Sequence, residues 1–377
     1  MIDCAGFFDL LRHAGIGLYT GVPDSLLKDI CAYITDHAPG DRHIIAANEG
    51  AAVAIAAGHH LATGETGLVY LQNSGLGNTV NPLTSLTDPQ VYSIPVLLLI
   101  GWRGEPGVHD EPQHVKQGAI TLAQLDTLGI PHTVLAPSLD EARGQLDAAV
   151  ASMRETSAPF ALVVRKGTFA PYKLRQAAPN IHTLSREQAI VAILSQLGPE
   201  ATVVSTTGMA SREVYEYRAN SGTGAGQDFL TVGCMGHSSQ IALGIALARP
   251  GREVVALDGD GAVLMHMGSL AITGSRQPGN FRHIVLNNAA HDSVGGQPTA
   301  AGAIDLPAIA RACGYRDAFT VRTAPELAEG LARLRANAGP VLMEVLVNKG
   351  ARADLGRPKS PPIENKRAFM HALQTQP

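Results

Sequence analysis

The amino-acid sequence predicts an α/β protein of two domains, each a mostly parallel sheet with helices on both faces. Three observations predict it. Short apolar runs bounded by turn residues, among them Gly67 to Leu71, Val96 to Ile100 and Glu253 to Leu257, alternate with segments of helical periodicity. Runs apolar on both sides are what strands of a doubly covered parallel sheet need. Polar, glycine-containing segments follow several of these runs, at the strand ends where open α/β sheets gather ligand groups. At 377 residues the chain is long enough to bury two cores.

Composition narrows the function classes. A hydrophobic content of 45% with 40 glycines and 16% charged residues suits a compact enzyme. The net charge of −4 and pI near 6.4 give no electrostatic case for nucleic acid or an anionic membrane, so any anion must be bound locally. The four cysteines (Cys4, Cys31, Cys234, Cys313) show no paired spacing, which suits a reducing cytosol. Met1 to Cys4 lacks the basic start of a signal peptide, and the strongest apolar run, Ile94 to Ile100, is too short to span a bilayer. The expectation is a soluble cytoplasmic protein.

Along the chain, Gly21-Val22-Pro23-Asp24-Ser25 is a turn that offers an N-cap to a helix from Asp24 to His37. A strand (His43 to Ala46) leads through Asn48-Glu49-Gly50 into the helix Ala51 to Leu61, whose apolar surface nearly all round predicts burial between layers. Glu49 then stands at the positive end of a helix, a place that suits a buried carboxylate. The strands Gly67 to Leu71 and Val96 to Ile100 run into polar loops, Gln72 to Asn78 and Gly101 to His114. A helix (Thr121 to Leu128), a strand (His132 to Leu135), a helix (Leu139 to Arg154) and a strand (Phe160 to Arg165) complete a first domain, residues 1–175. Periodicity fades between Lys166 and Asn180.

The second domain, residues 176–377, opens with the helix Arg186 to Leu197, the strand Thr202 to Ser205, the turn Thr206-Thr207-Gly208 and a helix containing Ser211 to Glu213. Ser221 to Gly226 reads as a linker. Phe229 to Val232, the loop Gly233 to His237 and the apolar helix Ser238 to Leu247 follow, and helices near Leu306 to Ala312 and Glu326 to Asn337, a strand Val341 to Val347 and a last helix from Asn365 end the chain. The two halves share a plan, although their sequences are too dissimilar to establish a repeat.

The chemistry concentrates between Gly259-Asp260-Gly261 and Asn287-Asn288, with 25 residues separating Gly261 from Asn287. A strand, a tight turn, a helix from Ala262 and a second strand (Arg282 to Leu286) make one βαβ unit, with oxygen ligands at the ends of neighbouring strands. Asp260 and Asn288 offer hard oxygen donors suited to Mg²⁺ or Ca²⁺, and the amides that open the helix suit an anion. A divalent cation beside a helix start is a site for a diphosphate.

This spacing resembles the signature of thiamine-diphosphate enzymes. The resemblance implies a pyrimidine-binding first domain, a diphosphate- and Mg²⁺-binding second domain, and metal ligation by Asp260, Asn288 and the carbonyl of Ala290. It also implies that Glu49 activates the cofactor's pyrimidine ring, that Met235 supports its bent shape, that the Gly233 carbonyl accepts from its amino group, and that Thr207, Gly259, Gly261 and Ala262 contact it. Gly21 to Ser25, Gly101 to Gly104, Asp110 to His114, His291 to Pro298 and the tail around Asp354 to Arg357 together resemble the phosphonopyruvate decarboxylase family, a near relative of the sulfopyruvate decarboxylases. That implies a carboxy-lyase making phosphonoacetaldehyde and CO₂ from 3-phosphonopyruvate, with sulfopyruvate decarboxylation, or a non-catalytic Mg-diphosphate-binding subunit, as the alternatives. An anionic tail on the substrate calls for donors, and Asp24, Ser25, Asn73, Arg103, His109 and Gln297 are the candidates, with Arg357 and Lys359 in the tail. His114 and His291 are candidate proton donors after CO₂ is lost. The family further implies a homodimer or higher homo-oligomer with its sites at subunit interfaces. Ala289 departs from the family pattern, which more often has glycine after the asparagine pair.

Overall fold

The computed structural model describes residues 1–176, 179–198, 201–223 and 226–375. They form two compact units, Met1–Ala178 with Ser293–Pro298, and Pro179–Asp292 with Thr299–Pro377. No helix among the described residues is long and apolar enough to cross a membrane, and all four cysteines are free thiols.

The first unit runs α1 (Cys4–His13), β1 (Ile16–Gly21), α2 (Lys28–His37), β2 (His43–Ile45), α3 (Glu49–Thr63), β3 (Thr66–Gln72), α4 (Leu76–Ser85), β4 (Val96–Gly101), α5 (Pro112–Thr127), β5 (His132–Val134), α6 (Leu139–Thr156) and β6 (Phe160–Val164). Its six strands lie in the order β2-β1-β3-β4-β6-β5, all parallel. Alternation along the strands builds one core on each face of the sheet. Leu68, Tyr70, Leu97 and Leu99 pack with Phe7, Leu11, Ile30, Ile34 and Leu146, while Val69, Leu71, Leu98 and Ile100 pack with Val53, Ala56 and Leu125.

The second unit runs α7 (Arg186–Gln196), β7 (Thr202–Ser205), α8 (Met209–Ser221), β8 (Asp228–Leu230), α9 (Ser238–Ala248), β9 (Val254–Gly259), α10 (Asp260–Met265), α11 (Ser269–Arg276), β10 (Phe281–Asn287), α12 (Leu306–Ala312), β11 (Asp317–Val321), α13 (Ala324–Ala336), β12 (Val341–Leu346) and α14 (Pro362–Thr375). Its sheet is again parallel, in the order β11-β12-β10-β9-β7-β8. Read from the β8 edge this is the order of the first sheet, strand for strand. The shared plan is a repeated topology.

Several boundaries differ from the sequence expectation, each for a local reason. α1, β1, α4 and β11 lie where no element is expected; α4 carries Pro82 and, before it, four polar or glycine positions (Gly77, Asn78, Thr79 and Asn81), and β1 is interrupted by glycine. α2 begins at Lys28 because the Asp24 carboxylate turns inward, accepting the Leu26 amide at 2.9 Å and the Gln72 side chain at 2.6 Å instead of capping a helix. α5 starts nine residues before the expected Thr121, at a proline in the first helical position, so His114 is helical. α3 is buried on one face only: Ala51, Ala54, Gly58 and Leu61 are exposed. Ala178, at the expected boundary, and Gly224 and Ala225, in the expected linker, lie outside the described residues.

α5 is drawn tightly onto the end of β4. The Trp102 indole donates to the Gly118 carbonyl at 2.9 Å, and a side chain at Gly118 would collide with the Gly104 carbonyl. Gly118→Ala should therefore lower unfolding stability by roughly 1–3 kcal/mol. Urea denaturation measures it, and an unchanged midpoint would show that this approach is looser than described.

Candidate active site

In the second unit, β9 and β10 are adjacent and pair Gly259 with Leu286 at their carboxyl ends. That register brings Asp260, which opens α10, beside the turn after β10. The Asp260 carboxylate is 4% exposed and accepts hydrogen bonds from the Thr299 hydroxyl and the backbone amides of Gly261 and Asn288. None of these donors is charged. Burial raises the Asp260 pKa to about 6, and the donors only partly oppose it. A buried carboxylate with neutral donors alone, next to an amide side chain and a main-chain carbonyl, fits a hard divalent cation. No group of three or more His, Cys, Asp or Glu suited to a metal occurs among the described residues, so oxygen donors of mixed type are the set on offer.

The turn itself is tightly set. Asn288 Oδ1 accepts from the Ala290 amide at 3.0 Å, and Ala289 has φ of 53°, the left-handed region that favours glycine. The departure at Ala289 thus sits on a backbone that a side chain strains. A Cβ on Gly261 would lie 3.3 Å from the Met235 methyl and 3.4 Å from the His291 ring, so Met235, Gly261 and His291 converge. The Thr207 hydroxyl accepts from the Gly233 amide at 3.1 Å, which ties the turn after β7 to the loop carrying Met235. Gly259 ends β9, and Ala262 is buried in α10. β7 and β9 flank the point where the strand order reverses, the crevice where open sheets bind ligands. Burial lowers the His291 pKa to about 4, leaving a neutral ring at neutral pH.

In the first unit, Asn48 caps α3 by accepting from the Ala51 amide at 2.9 Å, and Glu49 follows as the first helical residue. The Glu49 carboxylate is 5% exposed, accepts from Asn78 Nδ2 at 2.8 Å, and lies so close to Gly75 that no side chain fits there. Asn78 is a partner no sequence pattern singled out.

A second set gathers at the ends of β1, β3 and β4. Asp24 is fully buried, and burial raises its pKa. Asn73 donates both amide hydrogens, to the Arg103 carbonyl (2.8 Å) and the Thr121 hydroxyl (2.9 Å), and its Oδ1 accepts from the Arg103 amide (3.1 Å), so it braces that loop. Arg103 bonds Asp110 through two nitrogens and Ser25 through a third at 2.7 Å. Burial alone would raise the Asp110 carboxyl, but Arg103 and the Glu111 and Gly104 amides outweigh it and hold it well below the usual range. The expected clamp is therefore already paired. His109 is exposed in the same loop. Among the buried side-chain atoms without partners in this unit are Tyr19 Oη, Thr20 Oγ1, Gln113 Oε1, His114 Nδ1, on a ring whose pKa burial lowers, and both atoms of the Gln297 amide, 1% exposed. Orphaned buried polar groups are rare and point to something that completes them.

Both units match domains of known thiamine pyrophosphate enzymes. Residues 5–126 match the N-terminal TPP binding domain of thiamine pyrophosphate enzymes, and residues 206–345 match their C-terminal TPP binding domain. Phosphonopyruvate decarboxylase of Streptomyces viridochromogenes is 38% identical over 100% of this chain and 96% of its own, and that of Streptomyces hygroscopicus 37% over 98% and 93%. Sulfopyruvate decarboxylase of Methanosarcina acetivorans is 28% identical over 95% of each chain. With both cofactor-binding domains matched and the likeness running end to end, the chain belongs to the phosphonopyruvate decarboxylase family of thiamine-diphosphate enzymes.

Proposed function

We propose that the chain catalyses the thiamine-diphosphate- and Mg²⁺-dependent, non-oxidative decarboxylation of 3-phosphonopyruvate to phosphonoacetaldehyde and CO₂. The observation that carries this reading is that one chain holds both a buried acid at a helix start, Glu49, and a buried carboxylate with only neutral donors, Asp260. Asp260, Asn288 and the Ala290 carbonyl would hold the metal. Thr207, Gly259, Gly261 and Ala262 would face the diphosphate, with the Gly233 carbonyl and Met235 beside the ring. Glu49 would hydrogen-bond the pyrimidine ring of the bound cofactor. When bound, the cofactor supplies the electron sink that decarboxylation requires.

The phosphonate reading over the sulfonate one rests on the identities, 38% against 28% over nearly the whole chain. Arg103 is paired with Asp110, while the Gln297 amide and His114 Nδ1 are buried donors without partners that an anionic substrate could engage. Ser25 accepts from Arg103, and Asp24 is bonded by the Leu26 amide and Gln72 beside it. An anion beside His114 or His291 would raise either pKa toward neutrality, which suits a proton donor. The subunits would pair as a homodimer or higher homo-oligomer, for which the exposed apolar face of α3 and Leu247 of α9 offer surface.

Glu49→Gln should keep the fold, with melting within a few degrees of wild type, and lower kcat at least about 100-fold. A variant turning over at the wild-type rate would sink that role. Comparing kcat/KM for phosphonopyruvate and sulfopyruvate separates the two substrates. For Asp260 the sign follows from its raised pKa. Stability contributed by this group is fully present below about pH 4 and is lost as pH rises through about 6. In metal-free protein the loss is on the order of 2–3 kcal/mol, and Asp260→Asn should flatten it. Mg²⁺, which needs the ionised form, should bind about tenfold more weakly at pH 5 than at pH 7, a change calorimetric titration can read.

A further inference from the structure

The turn that presents Asn288 and Ala290 is anchored by a residue outside the proposed ligand set. Asn287, the last residue of β10, is 4% exposed. Its Nδ2 donates to Glu344 Oε1 at 2.7 Å, and its Oδ1 accepts from the Ala289 amide at 2.9 Å. Glu344 lies on the adjacent strand β12 and is 5% exposed, and its other oxygen accepts from the Thr320 hydroxyl of β11 at 2.6 Å. Three neighbouring strands are thus joined by one carboxylate to the residue held at φ of 53°. On its far side, the Ala289 carbonyl accepts from the Thr299 amide at 3.0 Å, and the Thr299 hydroxyl reaches Asp260.

Sheet stability does not explain a carboxylate here. A buried acid without a cationic partner costs several kcal/mol that an apolar side chain would not, and Met343 and Val345 beside it on β12 and Val285 across on β10 are apolar. A fixed left-handed turn does explain it. With Ala289 instead of glycine, the backbone loses stability unless something over-determines it. We infer that Glu344 is a positioning residue for the divalent cation: through Asn287 it locks the turn so that the Asn288 oxygen and the Ala290 carbonyl converge with Asp260. This rests on the reading of those three groups as the metal ligands. Partners behind ligating groups commonly set metal affinity within a factor of 10–100.

The test is Mn²⁺ affinity of the full-length protein at saturating thiamine diphosphate, read from the electron paramagnetic resonance of free Mn²⁺. Glu344→Ala should weaken binding about 10- to 100-fold, and Asn287→Ala should do the same while leaving the carboxylate in the sheet. Glu344→Gln, which can still accept from Asn287, should stay within about threefold of wild type. Thr320→Val, which removes a bond on the side away from the turn, should leave affinity unchanged. Wild-type affinity in Asn287→Ala or in a folded Glu344→Ala would overturn the inference, as would a Thr320→Val loss equal to that of Glu344→Ala. Asp260→Ala separates the two levels. Loss of Mn²⁺ there with Glu344→Ala intact rejects only the strut, whereas wild-type binding by Asp260→Ala rejects the metal site itself.

Discussion

A sheet whose strands all run parallel can be threaded only by crossovers that return the chain to its starting edge. Every strand of each unit therefore ends on the same side, and the chemically distinctive turns are found there. Asp24 follows β1, Asn73 follows β3, Arg103 follows β4, Thr207 follows β7, Asp260 follows β9 and Asn288 follows β10. The identical strand order of the two sheets repeats the constraint, opening a crevice between the first and third strands of each. Strands covered on both faces hold the edge rigid, which lets short turns fix oxygen atoms closely.

How each unit treats buried charge distinguishes scaffold from chemistry. Arg103 is closed by Asp110 and Ser25, and Arg186 is closed by two bonds to Glu213, one to Asp292 and one to the Gly350 carbonyl. These ions are mutually satisfied. Asp260 is buried to a similar degree yet meets only neutral donors; burial raises both Asp260 and Glu213, but only Glu213 has a guanidinium to oppose it. Strongly perturbed groups without a charge partner mark sites more often than frameworks do.

Much of this was legible before any coordinates. The alternation of apolar runs and periodic segments predicted two α/β halves, and the Gly-Asp-Gly to Asn-Asn spacing located the turn pair that the β9–β10 register brings together. What failed to show depends on side chains reaching back through the fold. Asp24 looked like a helix cap because cap residues and inward-turned carboxylates share a sequence. Arg103 looked free because Asp110 meets it only once the loop closes. Asn78, Thr299 and Glu344 carry no local signal, since each acts on a residue 29, 39 or 57 positions away. The same distance hid the repeat, because strand order survives sequence changes that erase any alignment.

The duplicated frame explains why neither half is interchangeable with the other. At the helix after the second strand, the first unit places Glu49, whereas the second places Ser238, whose hydroxyl is consumed by Asp258 at 2.7 Å. After the third strand the assignment reverses: Gln72 and Asn73 bond Asp24 and Arg103, and the second unit leaves Asp260 with neutral donors only. Topology thus provides two equivalent pairs of positions, and each unit has armed only one of its pair. Both acids open a helix, whose start favours the ionised form, and Asp260, met only by neutral donors, also suits a hard cation. One chain thus carries two buried acids of different surroundings, one per frame.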